Sequence, residues 1–278
     1  MSATPVHEDA SVFARRAAER AGVEIRPLDG VAEFEAGSAL VCRIWDDADP
    51  KAPVNLLRAL SHAGNFVAGA FADGTLVGIS IGFFGADGGG FHLHSHITGV
   101  DPAFQGRSVG FALKQFQRSW ALERGASTIH WTTDPLVRRN LFFNLVKLGA
   151  TVVAYHDDFY GQILDGVNGS DASDRVVVRW ELDSERAATA ASGTVELPAG
   201  SGGSVLLRTD TAGKPEVCAA DGDTLLVWVP DDIVAMRAHA PEVAHAWRLA
   251  LRETAGRLLS DGYRAETITR DGWCVFAR

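Results

Sequence analysis

The sequence predicts an α/β fold whose sheet is mixed and partly antiparallel. Three observations carry that expectation. Asp73-Gly74 joins two apolar runs, a strong hairpin signal. Val109, Leu113, Phe116 and Trp120 recur at helical spacing shortly after a strand that ends at Pro102. Val176, Val178, Trp180 and Leu182 alternate as a half-buried strand does. Strands and helices interleave along the chain, which points to α/β layering.

Taken in order, residues 12–21 read as a helix with Ser11 as its cap and Gly22 as its stop, and 23–27 as a short strand. Residues 31–44 and 54–62 have helical character and are separated by turn-forming residues 46–53. The hairpin comes next, as strands 66–71 and 76–84 around Ala72-Asp73-Gly74. Glycine-rich residues 85–90 read as a flexible connector, and 91–100 as a strand that Pro102 ends. Residues 109–124 form an amphipathic helix stopped by Gly125, with Lys114, Arg118 and Glu123 off its apolar stripe and read as surface charge. A strand at 128–133, a helix at 136–148 ending at Gly149 and a strand at 151–155 follow. After a loop at 161–173 comes the alternating strand.

Composition shifts at 184–203, which is rich in Ala, Ser, Thr and Gly. The expected organisation is therefore a domain at 1–183, a connector at 184–203 and a small C-terminal α/β extension at 204–278. That extension holds a strand at 225–229 and a closing strand near 273–276. Between them lies a helix with Val243, Trp247, Leu251, Ala255 and Leu258 on one face, bounded by Pro241 and Gly262. So small a segment makes a poor independent core and is expected to dock on the first domain.

Charge and cysteine usage narrow the function. Twenty-six basic against 35 acidic side chains give a net charge of −9, which disfavours nucleic acid and anionic membranes as partners. Any anionic ligand must then be held by a local device. Cys42, Cys218 and Cys274 are far apart and lack metal-ligand spacing, so neither a disulfide framework nor a metal is expected. The apolar stretch 67–84 is interrupted by Asp73 and Gly74, and the first ten residues lack the pattern of a signal peptide. The expectation is a soluble cytoplasmic protein.

The stretch that carries chemistry is Gly99-Val100-Asp101-Pro102-Ala103-Phe104-Gln105-Gly106-Arg107-Ser108-Val109-Gly110. A strand ends at a proline, and a glycine-containing turn opens directly into an amphipathic helix. The amides of a first helical turn lack intrahelical acceptors and, with the helix dipole, favour an anion. Small residues at Gly106, Ser108 and Gly110 allow close approach, and Gln105 and Arg107 add side-chain donors. No Gly-Lys-Ser/Thr follows, so this is not a P-loop, and the three-glycine dinucleotide pattern is absent.

This stretch, as Val100-Asp101-Pro102-x-x-Gln105-Gly106-Arg107-Ser108-Val109-Gly110, resembles the pyrophosphate-binding signature of the GNAT acyltransferases. The order of elements around it is similar to that fold. A narrower likeness is to bacterial members with Ser95-His96, Gly99-Val100, Trp131-Thr132, Asp134-Pro135-Leu136 and Arg139-Asn140. Their C-terminal extension is matched by Trp247-Arg248 and Arg252-Glu253. The resemblance implies an acyl-CoA co-substrate, acetyl-CoA by default or a larger donor such as succinyl-CoA, lying between splayed central parallel strands at 91–100 and 128–133. It places the pyrophosphate on the amides of Gln105, Gly106, Arg107, Ser108, Val109 and Gly110. Backbone groups of Thr98, Gly99 and Val100 would hold the pantetheine and polarise the thioester. Asn140 would contact the cofactor or the acceptor, and Asp134 reads equally as a helix cap.

His92, His94 and His96 alternate onto one strand face. The family's base position falls on His94, and His96 lies nearer the expected acyl group. Two departures stand out. Ser108 replaces the central glycine of the turn, and Leu145 occupies the place of the usual tyrosine acid. The implied activity is direct acyl transfer to the amine of a small molecule such as an amino acid. The alternative is a GNAT-fold sensor that binds CoA without turnover. Beyond the small-molecule amine, a homodimer stays open as a partner.

Overall fold

The computed structural model describes residues 5–46, 51–88, 90–161, 171–193 and 202–278. In chain order its elements are α1 (Pro5–Ala21), β1 (Glu24–Pro27), α2 (Gly30–Trp45), α3 (Val54–His62), β2 (Phe66–Ala72), β3 (Thr75–Asp87), β4 (Gly90–Val100), α4 (Val109–Glu123), β5 (Thr128–Thr133) and α5 (Arg138–Phe142). They continue with β6 (Thr151–His156), β7 (Arg175–Glu181), α6 (Glu185–Ser192), β8 (Ser204–Thr209), β9 (Pro215–Val217), β10 (Thr224–Trp228), α7 (Ile233–His239), α8 (Pro241–Ser260), β11 (Arg264–Ile268) and β12 (Trp273–Ala277). The chain forms two compact units, Met1–Trp131 with Glu181–Ala191, and Thr132–Trp180 with Ser192–Arg278.

In the first unit β1 to β4 pair successively antiparallel, and β5 joins β4 in parallel. The mixed sheet expected from the sequence is thus present. One face packs on α2 and α3 through Phe34, Leu40, Leu57, Ile79, Ile81 and Ile97. Gly37 brings α2 close, since a Cβ there would lie 2.9 Å from Ile79 Cδ1. The other face receives α4, where Leu113 and Val109 meet Ala70 and Val77. Each fully buried aliphatic side chain in such a core stabilises by roughly 1.5–3 kcal/mol.

Several expectations are revised here. Within the expected connector at 85–90, β3 runs to Asp87 and β4 begins at Gly90, and these two residues are paired; residue 89 lies outside the described residues. Cross-strand pairing outweighs the low strand preference of glycine. Lys114 and Arg118 are not surface charges but only 4% and 1% exposed. Arg118 is accommodated because its Nε donates to the Leu182 carbonyl at 2.7 Å. Of the expected connector, Glu185–Ser192 is helical. Alanine is a strong helix former, and the Ala187 amide donates to Ser184 Oγ at 3.2 Å. Residues 194–201 of the connector lie outside the described residues.

The second unit has strand order β7-β6-β11-β12-β10-β8-β9. β11 pairs with β6 at Ala265↔Val152, so the C-terminal strands continue the sheet that β6 and β7 begin. One boundary between the compact units, between Ala191 and Ser192, falls inside 184–203, and the others fall after Trp131 and after Trp180. α8 buries Trp247, Leu251, Ala255 and Leu258, as its apolar spacing indicates. The expected helix at 136–148 is shorter: α5 ends at Phe142 and a π turn follows over Phe143–Lys147. The wider turn, with the Leu148 amide bonded to Phe143 O at 3.0 Å, buries Asn144, Leu145 and Val146. Strands β8, β9 and β11 and helix α7 are short and polar-interrupted, and periodicity gave no sign of them.

Candidate active site

The turn between β4 and α4 is built by short-range bonds. Asp101 Oδ1 accepts from the Ala103 amide at 3.0 Å and fixes a single 3-10 turn at Pro102–Phe104. The Gln105 side chain donates to the Val100 carbonyl at 3.3 Å, bracing the turn. The Arg107 guanidinium lies 4.9 Å above the Phe104 ring. Gly106 and Ser108 both adopt left-handed backbone, with φ of 78° and 64°. That geometry suits glycine and strains serine.

The first intrahelical bond of α4 runs from the Ala112 amide to Ser108 O at 3.0 Å. Ser108 sits at the N-cap, but its side chain makes no cap hydrogen bond. The amides of Gly110 and Phe111, at the second and third helical positions of α4, are therefore left without the acceptor that a capping hydroxyl supplies. Residues 105–108 are exposed. The turn is a helix N-terminus open to an anion. Its polarity is right for a phosphate even though the chain is acidic overall.

β4 leads into this turn and is itself irregular. Its ladder with β3 pairs Ile81 with Ile97 but Gly82 with Ser95, so His96 is an extra, bulged residue. A bulge takes its residue out of the ladder and re-aims the strand. Against β5 the registered pairs are Leu93↔Ile129 and His94↔His130. Beyond them β4 runs on through residues 95–100 in the direction of the turn. Gly99 packs against α2, where a Cβ would meet Trp45 Cη2 at 2.9 Å. Thr98 Oγ1 shares a 2.8 Å hydrogen bond with Ser80 Oγ. Trp45 thus packs on β4 as part of the core.

His94 and His96 do share a face, as alternation requires. Their rings lie 6.3 Å apart and 5.0 and 6.0 Å from the ring of Phe83. Burial lowers the His94 imidazole to about 4, and the neighbouring His96, His92, His130 and Lys114 lower it further in the same sense. Burial also lowers His96. On the opposite face Lys114 Nζ donates to Ser95 Oγ at 2.8 Å and Gln117 Oε1 at 3.1 Å, and stands 3.9 Å over the Trp131 ring. Burial brings this ammonium down to about 7. Sequence reasoning missed Lys114, because a lysine off an apolar stripe reads as solvent-facing.

Other candidates fall in the second compact unit. Asn140 is exposed on α5, whereas Asn144 is buried by the π turn. Asp134 does not cap α5, whose N-cap is Val137; its Oδ1 instead accepts from the Leu136 amide at 2.9 Å in the turn ahead of the helix. It also receives Arg248 Nη1 at 2.9 Å and Arg237 Nη2 at 2.6 Å. Burial acts to raise the Asp134 carboxyl, but the two guanidinium groups outweigh it and hold it at about 2. Arg252 binds Asp174 at 2.6 Å, and the Tyr155 hydroxyl donates to the same carboxylate at 2.7 Å. The Arg248 and Arg252 pattern noted in the sequence therefore serves a buried ion network. Leu145 is 1% exposed.

Comparison with known proteins adds to this geometry. Residues 34–143 match the model of the acetyltransferase (GNAT) family. No curated protein matches the chain. Among solved structures, the ribosomal-protein-S18-alanine N-acetyltransferase of Escherichia coli aligns over 58% of this chain and 94% of its own, at 14% identity and a TM-score of 0.47. Ard1 of Thermoplasma volcanium aligns over 57% and 96%, at 16% identity and a TM-score of 0.45. A GNAT-family acetyltransferase of Streptococcus pneumoniae aligns over 56% and 97%, at 12% identity and a TM-score of 0.45. Among the described residues no helix is long and apolar enough to cross a membrane. The turn at 105–110 lies inside that segment, so residues 34–143 with this turn are similar to the acetyltransferase (GNAT) family.

Proposed function

We propose that this protein is an acyl-CoA-dependent N-acyltransferase that acts in the cytoplasm on the amine of a small molecule, such as an amino acid. The donor is acetyl-CoA or a larger acyl-CoA such as succinyl-CoA. The observation that carries this reading is the uncapped N-terminus of α4, placed directly after the half of β4 that extends past its registered rungs with β5. The diphosphate would lie on the amides of residues 105–110, with the pantetheine along Thr98, Gly99 and Val100.

In the reaction the amine nitrogen attacks the thioester carbonyl, and a C–N bond forms as the C–S bond breaks. A fixed backbone N–H on β4 stabilises the oxyanion that builds up, a contribution of roughly 3–4 kcal/mol per donor. Holding donor and acceptor in one cleft removes much of the remaining entropic barrier. The amine must lose a proton, and His94 or His96 on the open face of β4 takes it, directly or through water. The leaving thiolate takes its proton from water, since its ordinary pKa of about 8.5 makes a dedicated acid dispensable.

Incubation with acetyl-CoA or succinyl-CoA and a pool of amino acids, followed by free-thiol detection, tests this. Amine-dependent thiol release that falls at least tenfold in His94→Ala or His96→Ala is the expected result. Release that needs no amine, or that both variants leave intact, removes the assignment. The buried Leu145 favours one second reading, a CoA-binding sensor without turnover. Thermal stabilisation by CoA with no thiol release identifies that case.

A further inference from the structure

Three side chains on adjacent strands converge away from the turn just described. Asp87 ends β3, His92 lies on β4 and His130 on β5. The two imidazole rings stack with centroids 4.2 Å apart and 23° between planes. Each turns its Nδ1 toward one carboxylate oxygen, Asp87 Oδ2, at 3.7 Å in both cases. All three donor atoms lie within 4.8 Å of one another. The imidazoles are largely buried, with side chains 11% and 15% exposed, while Asp87 is 48% exposed. The cluster is made by the fold, because no two of these residues are neighbours in sequence.

The spacing is informative. A separation of 3.7 Å is wider than a hydrogen bond, for which about 2.7–3.2 Å is usual. Two ligands each about 2.0–2.2 Å from a tetrahedral metal stand about 3.3–3.6 Å apart. A small tilt of either ring closes the difference. His92 Nδ1 also lies 3.5 Å from the Gly90 carbonyl, at the outer limit of a hydrogen bond, so little holds that nitrogen in place. Room for the His92 ring is kept by Gly85, its cross-strand partner, where a Cβ would lie 3.0 Å from His92 Nε2.

We propose that Asp87, His92 and His130 form a binding site for a divalent transition-metal ion of the zinc class. Two imidazole nitrogens and one carboxylate suit Zn²⁺, Co²⁺ or Ni²⁺ and are a poor set for Mg²⁺ or Ca²⁺, which take oxygen ligands. Water completes the coordination on the exposed Asp87 side. The ion ties β3, β4 and β5 together next to the rungs Leu93↔Ile129 and His94↔His130, so it sets how firmly β4 and β5 are joined at their paired end. This inference stands apart from the transferase reading and does not depend on it.

The test uses the full chain stripped with a chelator and titrated with Co²⁺ while the visible spectrum is recorded. One equivalent should give d–d absorption, and Zn²⁺ should bleach it. Saturating Zn²⁺ should also raise the melting temperature by about 5 °C or more, as a ligand bound to the folded state does. Asp87→Asn, at a half-exposed position that tolerates the change, should weaken Co²⁺ binding at least tenfold, and His130→Gln should abolish it. Mg²⁺ should do nothing. Absence of a Co²⁺ spectrum overturns the site. So does a spectrum that survives both variants, or one that disappears only in His96→Gln.

Discussion

Lys114 Nζ and Ser95 Oγ lie 2.8 Å apart across the packed face of β4, so a lysine with no carboxylate among its hydrogen-bond partners is buried in the first unit. Its other close neighbours are Gln117 Oε1 and the Trp131 ring, and burial brings its pKa to about 7. The unfolded chain holds that proton up to about pH 10.4. Between pH 7 and 10.4 the unfolded state therefore binds the proton and the folded state does not. Stability from this group rises with pH across that window, by up to about 1.4 kcal/mol per pH unit, and is level below it. Urea unfolding of the wild type and Lys114→Met at pH 7, 8, 9 and 10 should show the gap between them narrowing as pH rises. A gap that stays constant would mean the ammonium is solvated.

Arg248 is fully buried and divides its guanidinium between Asp134 and Asp171. Removing one partner of such a network leaves a charge buried without compensation, at a cost of roughly 3–5 kcal/mol. Arg248→Met should therefore lower the unfolding free energy of the second unit by about that amount. Arg257→Met, at a position 82% exposed, should change it by less than about 0.5 kcal/mol. Urea titration with far-UV circular dichroism separates the two.

The comparison between sequence and structure follows a physical division. Apolar runs on either side of Asp73-Gly74 located β2 and β3, and helical spacing of apolar residues located α4 and α8. The turn at 105–110 was legible for the same local reason, as strand, proline, glycine and amphipathic helix lie consecutively. Lys114 and Arg118 were not legible. α4 is covered on nearly every side, and nothing local distinguishes a charged residue on a covered flank from one on a solvated flank. The Asp134–Arg248 pairing was hidden as well, since its partners are separated by more than a hundred residues. The His92–His130 stack depends on the parallel register of β4 with β5, which alternation within one strand does not reveal.

Ser108 stands where the family pattern has glycine, and its φ of 64° is a left-handed conformation that a Cβ makes costly. Ser108→Gly relieves that strain and should stabilise the protein by about 0.5–1 kcal/mol. Because no cap hydrogen bond is lost, the gain is not offset. If the amides of this turn seat a diphosphate, the same variant should bind CoA at least as tightly as the wild type. Gly106→Val, forced into φ of 78°, should weaken CoA binding tenfold or more. Urea unfolding gives the first quantity and titration calorimetry with CoA the second. CoA affinity unmoved by Gly106→Val would place the diphosphate elsewhere.

Cys274 differs from the other two thiols in its surroundings. It lies on β12 at 3% exposure, and burial pushes its pKa up to about 12, whereas Cys42 and Cys218 are half-buried. The thiolate is the reactive species, and at pH 8 a group of pKa about 12 is ionised in only about one molecule in ten thousand. An aromatic disulfide reagent at pH 8 should therefore modify Cys42 and Cys218 in the folded protein and spare Cys274. All three should react in 8 M urea. Because β12 pairs with both β10 and β11, Cys274 becomes accessible only when the second unit's sheet opens. The rate of its modification in rising urea then follows the unfolding of that sheet. Rapid labelling of Cys274 in the absence of urea would contradict the strand pairing itself.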